Sequence, residues 1–317
     1  IFAYIMRKVV FVDAVHSILK DRLESIGFDC VDATKANQDE FIEEIKGAFG
    51  IVIRSRFTLD ARVLDNARSL RFIARSGSGT ENVDSAYCTN KGILLFSSPE
   101  GNRNAVAEHA LGFLLALLNN FQRAHLEITE GSWLRKENTG RELSSCTVGI
   151  IGCGNNGLCF AKKLVSLGVK VLAYDKYKTI SEPGVENVAL ETLYKRVNVI
   201  SFHVPETEET ISMGDHAFFS RFQQPLIVLN ICRGKVVETD SLVLAMKQQR
   251  VLSAALDVLE YESKSFESFF ESELPEAFIY LKNNPNVILT PHIAGWTKES
   301  YFGLSNVLAD KITEAFS

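Results

Sequence analysis

The chain has 317 residues, enough for about two domains of ordinary size. Its composition is 46% hydrophobic and 23% charged with 20 Gly and 7 Pro, which is typical of a globular protein and excludes collagen-like and low-complexity chains. The net charge of −5 argues against a protein that coats nucleic acid or an anionic membrane surface. The most apolar uncharged run, 110–121, is shorter than the ~20 residues that a membrane helix needs.

The six cysteines form no C-x-x-C pair and have no zinc-like spacing with the six histidines, so neither a disulfide framework nor a metal site is predicted. Several lie in apolar runs, where a thiol behaves as a small hydrophobic group, and a reduced, cytoplasmic setting is expected. The leading residues 1–6 precede Arg7 and Lys8, which is the wrong charge order for a signal peptide. Met6 is therefore a candidate start of the natural chain.

Short apolar runs alternate with amphipathic stretches of helical length, a pattern typical of βαβ units around parallel sheets. The N-terminal part contains a predicted helix at 16–26 and a long predicted helix from about Asn104 to Ala124, for which Asn102 or Asn104 is a candidate N-cap. The predicted strands of this part are 8–13, 50–55, 70–77 and 92–98.

The second part repeats the alternation after a polar stretch at 129–143. One predicted helix follows its first strand and ends at Leu167, and a second closes the chain at 298–316. Residues 262–285 are predicted as a loop with a short helix. Its predicted strands are 147–151, 170–175, 199–204, 225–230, 252–258 and 286–291. The sequence therefore predicts an α/β protein.

A G-x-G-x-x-G sequence lies between the strand 147–151 and the helix that follows it, with glycines at 152, 154 and 157. In a dinucleotide-binding fold the first glycine permits the tight turn, the second lets the backbone approach a pyrophosphate, and the third lets helix and strand pack. Asp175 ends the next strand 23 residues after Gly152, where an acid would bind the ribose hydroxyls and favour NAD over NADP. The pattern indicates a nucleotide site, with a plain glycine-rich turn as the alternative.

Charged and titratable side chains follow three later strands of the same part. Arg233 follows 225–230, acids at 257–262 follow 252–258, and His292 follows 286–291. Because ligands of open α/β sheets gather at the carboxyl ends of the strands, these groups are expected to meet around one small ligand. Taken singly, each could equally be a solvated charge or a turn residue.

Several ordered motifs together resemble one family, the D-isomer-specific 2-hydroxyacid dehydrogenases, and within it the phosphoglycerate dehydrogenases. The resemblance covers nearly the whole chain and is carried by residues 74–84, 101–117, 140–157, 199–210, 230–242, 256–262 and 286–297. It implies two doubly wound parallel-sheet domains, with the active site in the cleft between them. A flavodoxin-like, discontinuous substrate domain is expected at 1–99 and 293–317, and a Rossmann NAD-binding domain at 100–292, whose long first helix would form a homodimer.

The resemblance also implies a catalytic set of Arg233, Glu262 and His292, in which Glu260 competes with Glu262 for the role of the acid. Neutral His292 would take the hydroxyl proton as hydride leaves carbon, Glu262 would orient the imidazole, and Arg233 would bind the substrate carboxylate.

Further residues receive roles from the same resemblance. The residues expected to bind NAD are Gly152, Gly154, Asn155, Asn156, Gly157, Asp175, His203, Val204, Pro205, Cys232, Asp257, Gly295 and Val106, with Asp257 at the nicotinamide carboxamide. The residues expected to bind substrate are Arg54, Arg75, Ser78, Gly79 and Arg135. Ser78 and Gly79 belong to a small-residue loop that could form an anion nest, and the arginines lie on segments that resemble those near the substrate phosphate.

The expected activity is NAD-dependent oxidation of a D-2-hydroxy acid, with 3-phosphoglycerate and 3-phosphohydroxypyruvate as the first candidate pair. Glyoxylate or hydroxypyruvate reductase and D-lactate dehydrogenase are the alternatives within the family. Cys232, Ser263 and Trp296 depart from its common pattern, which leaves the shape of the substrate pocket open. The non-enzymatic alternatives are an NAD-sensing protein like the dehydrogenase-related corepressors and a structural relic that binds no coenzyme.

Overall fold

The computed structural model describes residues 7–262 and 274–316, which divide into two compact units. Within the described residues, the five-stranded unit consists of 7–102 and 296–316, and the seven-stranded unit consists of 103–262 and 274–295. The junctions lie three residues from the predicted ones, and the assignment of a substrate domain to one part of the chain stays a prediction.

The five-stranded unit has helices on both faces of a wholly parallel sheet, with strand order β2-β1-β3-β4-β5. This is the flavodoxin-like order of doubly wound sheets, as predicted. Its strands are β1 (Arg7–Phe11), β2 (Phe28–Asp32), β3 (Gly50–Ile53), β4 (Phe72–Arg75) and β5 (Leu94–Ser97). Its helices are α1 (Ser17–Ser25), α2 (Gln38–Ile45), α3 (Ala61–Leu64), α4 (Ser85–Lys91) and α12 (Lys298–Phe316).

The alternation of side chains along its strands builds two separate hydrophobic clusters. On β1, Val9 and Phe11 pack into the cluster that α12 covers with Leu308 and Ile312, whereas Val10 packs into the cluster on the opposite face. Successive residues of a strand point to opposite faces, so a nearly continuous apolar run such as this one is buried on both sides.

The seven-stranded unit is also wholly parallel, with the order β12-β11-β10-β9-β6-β7-β8. From β8 to β12 this is the order of a dinucleotide-binding sheet with one added strand. Its strands are β6 (Thr147–Ile151), β7 (Lys170–Tyr174), β8 (Val185–Asn187), β9 (Val199–Phe202), β10 (Leu226–Asn230), β11 (Val251–Leu256) and β12 (Val287–Leu289). Its helices are α5 (Arg103–Leu118), α6 (Phe121–Thr129), α7 (Asn155–Ser166), α8 (Leu190–Arg196), α9 (His216–Ser220), α10 (Thr239–Lys247) and α11 (Glu276–Asn283), with 3₁₀ turns at Leu143–Ser145 and Gly234–Val236.

The long helix predicted over 104–124 is two helices. Asn120 adopts a left-handed backbone conformation with φ 54° between the end of α5 at Leu118 and the start of α6 at Phe121. Asparagine tolerates this conformation better than most residues. Asn102 directly precedes α5, at the predicted N-cap position, and its Oδ1 accepts from the Ser78 hydroxyl at 2.9 Å. Asn104 lies inside the first turn of α5 and donates to Glu108.

Two further features of the described residues concern membrane-spanning helices and cysteines. None of their helices is long and apolar enough to cross a membrane. The six cysteines are unpaired, and four of them are buried.

Candidate active site

The glycines of the turn after β6 have three different surroundings. Gly152 has a φ of 87°, and a Cβ there would lie 2.6 Å from the carbonyl oxygen of His203. A Cβ on Gly157 would lie 2.1 Å from the carbonyl oxygen of Gly152, which fixes how closely α7 approaches the strand end. A Cβ on Gly154 would meet nothing within 4 Å. Internal packing therefore requires the first and third glycines, whereas the second borders open space, as a pyrophosphate site needs.

Backbone donors hold Asp175 at the end of β7. Its Oδ2 accepts a hydrogen bond from the amide of Cys153 at 2.8 Å, and its Oδ1 accepts from the amides of Tyr177 at 2.9 Å and Lys178 at 3.1 Å. The carboxylate thus connects the glycine turn to the loop after β7, and it is half-buried at the place where the ribose is expected.

A cavity of about 520 Å³ adjoins the turn, and sequence reasoning missed several of the residues that line it. Its charged lining residues are Arg103, Lys162, Lys178 and Glu182. Lys162 pairs with Glu182 at 3.0 Å, and Lys176 outside the cavity pairs with Glu209 at 2.8 Å. The surplus of positive charge at the N-terminus of α7 suits an anion such as a pyrophosphate.

Two buried polar atoms near the turn fit a bound polar ligand. Oδ1 of Asn156 and Nδ1 of His203 have no hydrogen-bond partner among the described residues, although buried polar atoms normally have one. The Nε2 of His203 lies 2.8 Å from the Ser201 hydroxyl, and burial lowers the pKa of His203 to about 3, so the imidazole is neutral. Val204 and Pro205 continue from His203 along the same loop. The residues predicted at the adenosine side therefore fit NAD, and their contacts with it remain a prediction.

The loop after β10 carries Arg233 and is held by a side chain that sequence reasoning missed. Asn230, which is 1% exposed, donates from Nδ2 to the carbonyl of Arg233 at 3.0 Å and accepts at Oδ1 from the Cys232 amide at 3.3 Å. The Arg233 side chain is half-buried and donates to the Cys232 carbonyl at 2.6 Å. Burial raises the pKa of the Cys232 thiol to about 11, so it is an inert packing group.

Asp257 lies at the end of the neighbouring strand β11 and is 1% exposed. Its carboxylate accepts hydrogen bonds from the Thr290 hydroxyl at 2.5 Å and from the amides of Ile293 and Ala294 at 2.8 Å each. A carboxylate offers about four acceptor sites. The predicted contact with a nicotinamide carboxamide would therefore use the one acceptor site of the carboxylate that these three hydrogen bonds do not occupy. This contact stays a prediction.

His292 follows β12 and is paired with a carboxylate. Its Nδ1 lies 2.7 Å from Oε2 of Glu262, whose Oε1 accepts from the Leu259 amide at 2.6 Å. Both side chains are largely buried, with 26% of His292 and 14% of Glu262 exposed. The competing acid, Glu260, instead accepts from the amide of Thr239 at the start of α10. Of the two acids, Glu262 is thus the one beside the imidazole.

The backbone of His292 is strained. Its φ of 55° is in the left-handed region, which costs a non-glycine residue about 1–3 kcal/mol and persists only where the surrounding structure holds it. The His292 amide donates to the carbonyl of Asp257 at 2.8 Å. Because β10, β11 and β12 are adjacent in the sheet, Arg233, Asp257 and His292 follow three neighbouring strand ends.

The five-stranded unit contains four of the predicted substrate residues. The amide of Arg54 donates to Asp13 at 2.5 Å, its carbonyl accepts from Asn82 at 3.2 Å, and its guanidinium lies 4.6 Å from the centre of the Trp296 ring. This arrangement fixes the main chain of Arg54 and stacks its charge on an aromatic face.

Two of the amide donors in the small-residue loop after β4 already have acceptors within the protein. The amides of Ser76 and Gly77 donate to the Ile53 carbonyl at 2.8 Å and to the Ser98 hydroxyl at 3.3 Å. The buried guanidinium of Arg75 fills the space where a Cβ on Gly77 would point. The candidate donors of an anion nest are therefore the amides of Ser78 and Gly79, the two residues predicted for that role.

The remaining predicted residues lie in the seven-stranded unit. Val106 is 4% exposed in the core of the unit on α5, and Gly295 is half-buried after the His292 loop. Arg135 is exposed in the segment between α6 and β6, so its predicted role in binding substrate stays a prediction. Ser263 lies outside the described residues.

The chain is similar to a family of known proteins. Residues 111–294 match the model of the D-isomer specific 2-hydroxyacid dehydrogenase, NAD binding domain. The chain is 33% identical over 308 residues to the D-3-phosphoglycerate dehydrogenase of Archaeoglobus fulgidus, covering 96% of this chain and 56% of that protein. It is 32% identical over 282 residues to the hydroxypyruvate reductase of Thermotoga maritima, covering 89% of each. The chain thus spans little more than half the length of the D-3-phosphoglycerate dehydrogenases it matches.

Solved structures are similar over nearly the whole chain. The D-lactate dehydrogenase of Aquifex aeolicus, complexed with NAD and lactic acid, is 27% identical with a TM-score of 0.81, covering 98% of this chain and 95% of that one. A D-2-hydroxyisocaproate dehydrogenase is 27% identical with a TM-score of 0.83, covering 98% of both chains.

Proposed function

The chain belongs to the D-isomer specific 2-hydroxyacid dehydrogenase family, and we propose that it transfers a hydride between NAD and a D-2-hydroxy acid, with 3-phosphoglycerate and 3-phosphohydroxypyruvate as its substrate pair. The family model confirms the family and the NAD-binding domain that the motifs predicted. The observation that carries the proposed activity is the 2.7 Å contact between His292 and Glu262, which follow the adjacent strands β12 and β11. Arg233 follows β10, the next strand after β11 in the sheet.

His292 is the proposed acid and base. With Nδ1 directed at Glu262, its Nε2 is the atom that exchanges a proton with the substrate hydroxyl. Glu262 selects the tautomer and stabilises the imidazolium that forms when the alcohol is oxidised, as the carboxylate of a hydrolase triad does. In reduction His292 returns the proton to the oxygen of carbon 2.

Arg233 is the proposed partner of the substrate carboxylate, since its planar guanidinium donates two parallel hydrogen bonds to such a group. Bound NAD supplies the hydride acceptor or donor. The turn at 152–157, Asp175 and the loop at 203–205 would hold its adenosine and pyrophosphate. Val106, Cys232, Asp257 and Gly295 would border its nicotinamide.

The test of the activity is an NADH-oxidation assay with phosphohydroxypyruvate, hydroxypyruvate, glyoxylate and pyruvate. We expect His292→Gln to lower kcat by about 10²–10⁴-fold, the usual contribution of a general acid or base. His216→Gln is the matched control, because His216 is exposed on α9 and has no proposed role. If His292→Gln keeps wild-type turnover, the dehydrogenase proposal fails and an NAD-sensing binding protein is favoured.

Arg54 supports a substrate with a second anionic group. Its main chain is hydrogen-bonded to Asp13 and Asn82, and its guanidinium stacks on the Trp296 ring, so it presents a positive charge in the five-stranded unit. We expect Arg54→Ala to raise KM for phosphohydroxypyruvate by about tenfold or more, since a charge-assisted hydrogen bond contributes about 1.5–3 kcal/mol. KM for glyoxylate, which lacks the phosphate, should stay unchanged.

Arg62→Ala is the control for Arg54→Ala, since the Arg62 side chain is 93% exposed and its recorded partner is Asp60 in the same turn. Equal effects of Arg54→Ala on both substrates would contradict the phosphate assignment. The match to a hydroxypyruvate reductase supports that activity as the second candidate. A higher kcat/KM for hydroxypyruvate than for its phosphate would favour it.

We also propose a homodimer, with an interface on α6 and the segment after it rather than on α5. Of the two helices in place of the predicted interface helix, α5 has half of its residues buried in its own unit, whereas α6 has no buried residue. Phe121, Ile128 and Trp133 are 60%, 49% and 76% exposed. An apolar surface of this kind is typical of a subunit interface. Sedimentation analysis should give a dimer that Ile128→Asp dissociates; a wild-type monomer would contradict this.

A further inference from the structure

His109 is a histidine that no step above uses, although it lies next to the loop of His292. It projects from α5 with 22% of its side chain exposed, and its ring lies 4.3 Å from that of Phe113. Its Nε2 is 3.3 Å from the hydroxyl oxygen of Thr290 and 3.8 Å from Oδ1 of Asp257. Both partners belong to the strand ends that hold the proposed catalytic residues.

The direction of these hydrogen bonds follows from what each group can donate. Thr290 has one hydroxyl proton and directs it at the Asp257 carboxylate at 2.5 Å, because a carboxylate accepts and does not donate. The Thr290 oxygen must therefore accept from His109, which requires a proton on Nε2. Burial lowers the pKa of His109, against the opposing attraction of the Asp257 carboxylate, so the neutral form is favoured.

Asp257 connects Thr290 to the main chain of the catalytic loop through hydrogen bonds. Its carbonyl accepts from the His292 amide at 2.8 Å, and its two carboxylate oxygens accept from the amides of Ile293 and Ala294 at 2.8 Å. Three consecutive amides of the loop thus bond to one residue. They hold His292 in the left-handed conformation that directs its Nδ1 at Glu262.

We propose that His109 is a positioning residue for His292. It acts by donating from Nε2 to Thr290, which orients the Thr290 hydroxyl and the Asp257 carboxylate, and through them the loop 292–294. The inference rests on the proposed function, since it assumes that His292 exchanges the proton. It concerns residues 109, 257 and 290, none of which is assigned to proton transfer.

The test compares His109→Leu with His109→Gln, because the glutamine side-chain amide can place a donor near the position of Nε2. We expect His109→Leu to lower kcat by about tenfold, within the range that small misplacements of catalytic groups produce. KM for NADH should rise by a smaller factor than kcat falls, because His109 reaches the nicotinamide side only through Asp257. His109→Gln should recover most of kcat. His216→Leu, at the exposed start of α9, is the matched control and should match the wild type.

A second measurement does not depend on turnover. Hydrogen exchange of the Ile293 and Ala294 amides, measured without substrate or NADH, should accelerate in His109→Leu and stay slow in His109→Gln. A loss of kcat in both variants alike would show that the ring matters only as packing against Phe113, and it would overturn the proposal. Unchanged exchange and kcat in His109→Leu would overturn it as well.

A double-mutant cycle, made with variants whose thermal melts match the wild type, tests whether His109 acts through the Thr290 hydroxyl. Thr290→Val removes the hydroxyl at almost constant volume. Because His109 acts through that hydroxyl, adding His109→Leu to Thr290→Val should lower kcat no further, whereas independent effects would multiply. Multiplying effects would overturn the proposal. A wild-type protein that reduces no 2-oxo acid would instead overturn the proposed function, and amide exchange would still report on His109.

Discussion

The helices of the two units begin differently. In the five-stranded unit, α1, α2, α3 and α4 each start at a residue whose side chain accepts a hydrogen bond from the first turn: His16, Asn37, Asp60 and Asp84. In the seven-stranded unit only α9, at Asp215, has such a cap among the helices whose N-cap is described. The helices that begin without one are α6, α7, α8, α10 and α11.

The difference shows how the backbone amides at a helix N-terminus can be kept available for a ligand. The first backbone amides of a helix need acceptors, which the five-stranded unit provides locally from its own side chains. For α10 the acceptor is the distant Glu260. For α7 the N-cap is Gly154, which has no side chain and borders open space, so a bound phosphate is the natural acceptor.

The largest expected effect comes from giving α7 a cap of its own. Gly154→Asp places a carboxylate at the N-cap, where it should leave stability unchanged or raise it by roughly a few tenths of a kcal/mol. The same carboxylate should weaken NADH binding by roughly 100-fold, because bringing like charges together costs several kcal/mol. Calorimetric titration with NADH and thermal melting measure the two effects. Gly154→Ser, an uncharged cap, should lose less affinity.

The third glycine of the turn should behave in the opposite way. Gly157→Ala brings a Cβ to within 2.1 Å of the Gly152 carbonyl, and overpacking of this kind costs about 1–3 kcal/mol. Urea unfolding should show the loss. Gly112→Ala is the control, because Gly112 lies on α5 with open space around it and should gain up to about 1 kcal/mol. Equal stability of the two variants would refute the packing role of Gly157.

Acid sensitivity should arise in the seven-stranded unit. Burial lowers the pKa of His203 in this unit from its ordinary value of 6.5 to about 3, so its imidazole is neutral in the folded protein. The unfolded chain then binds a proton that the folded one does not, so this contribution to stability is complete above about pH 6.5. It is lost as pH falls toward 3, at up to about 1.4 kcal/mol per pH unit. Urea unfolding at pH 7 and pH 5 should show a smaller loss for His203→Gln; an identical loss would contradict the assignment.

The smallest effect should come from an ordinary cap. Asn37 forms a capping box with Glu40 at the start of α2, and Asn37→Ala should cost about 1 kcal/mol of unfolding free energy. Affinity for NADH should not change, because this cap serves the fold alone. A change in NADH affinity in this variant would remove the distinction between the two kinds of helix start.

Much of the fold could be predicted because strands buried on both faces are apolar along their whole length. The strand β6 and the helix α12 have the predicted bounds, and every other predicted strand overlaps an observed one. The missed strands, β2 and β8, each lie at the edge of a sheet and are only partly buried. Their acids and amides weaken the apolar signal on which the prediction depended.

The residues of the candidate site likewise differ in how strong a local signal they have in the sequence. Glycine spacing predicted the turn at 152–157 and strand-end charges predicted an acid of 257–262 near His292, because those signals are local in the sequence. The choice of Glu262 over Glu260 came from the family resemblance. Asn230, Thr290 and His109 were missed, since the roles of the last two depend on contacts across the fold; His109 and Thr290 are 181 residues apart. A histidine on an apolar helix has no local signal that separates packing from hydrogen bonding to a distant loop.

The buried cysteines have a practical consequence for labelling experiments. Burial raises the pKa of Cys153 and Cys232 to about 11 and of Cys30 to about 12, and it raises the pKa of Cys88 and Cys146 as well. Alkylating reagents attack the thiolate, so these five side chains should stay silent toward a maleimide at neutral pH. If Cys159 is replaced by Ser, a single cysteine introduced at an exposed position should react with a maleimide fluorophore selectively. The five remaining native cysteines would not have to be replaced.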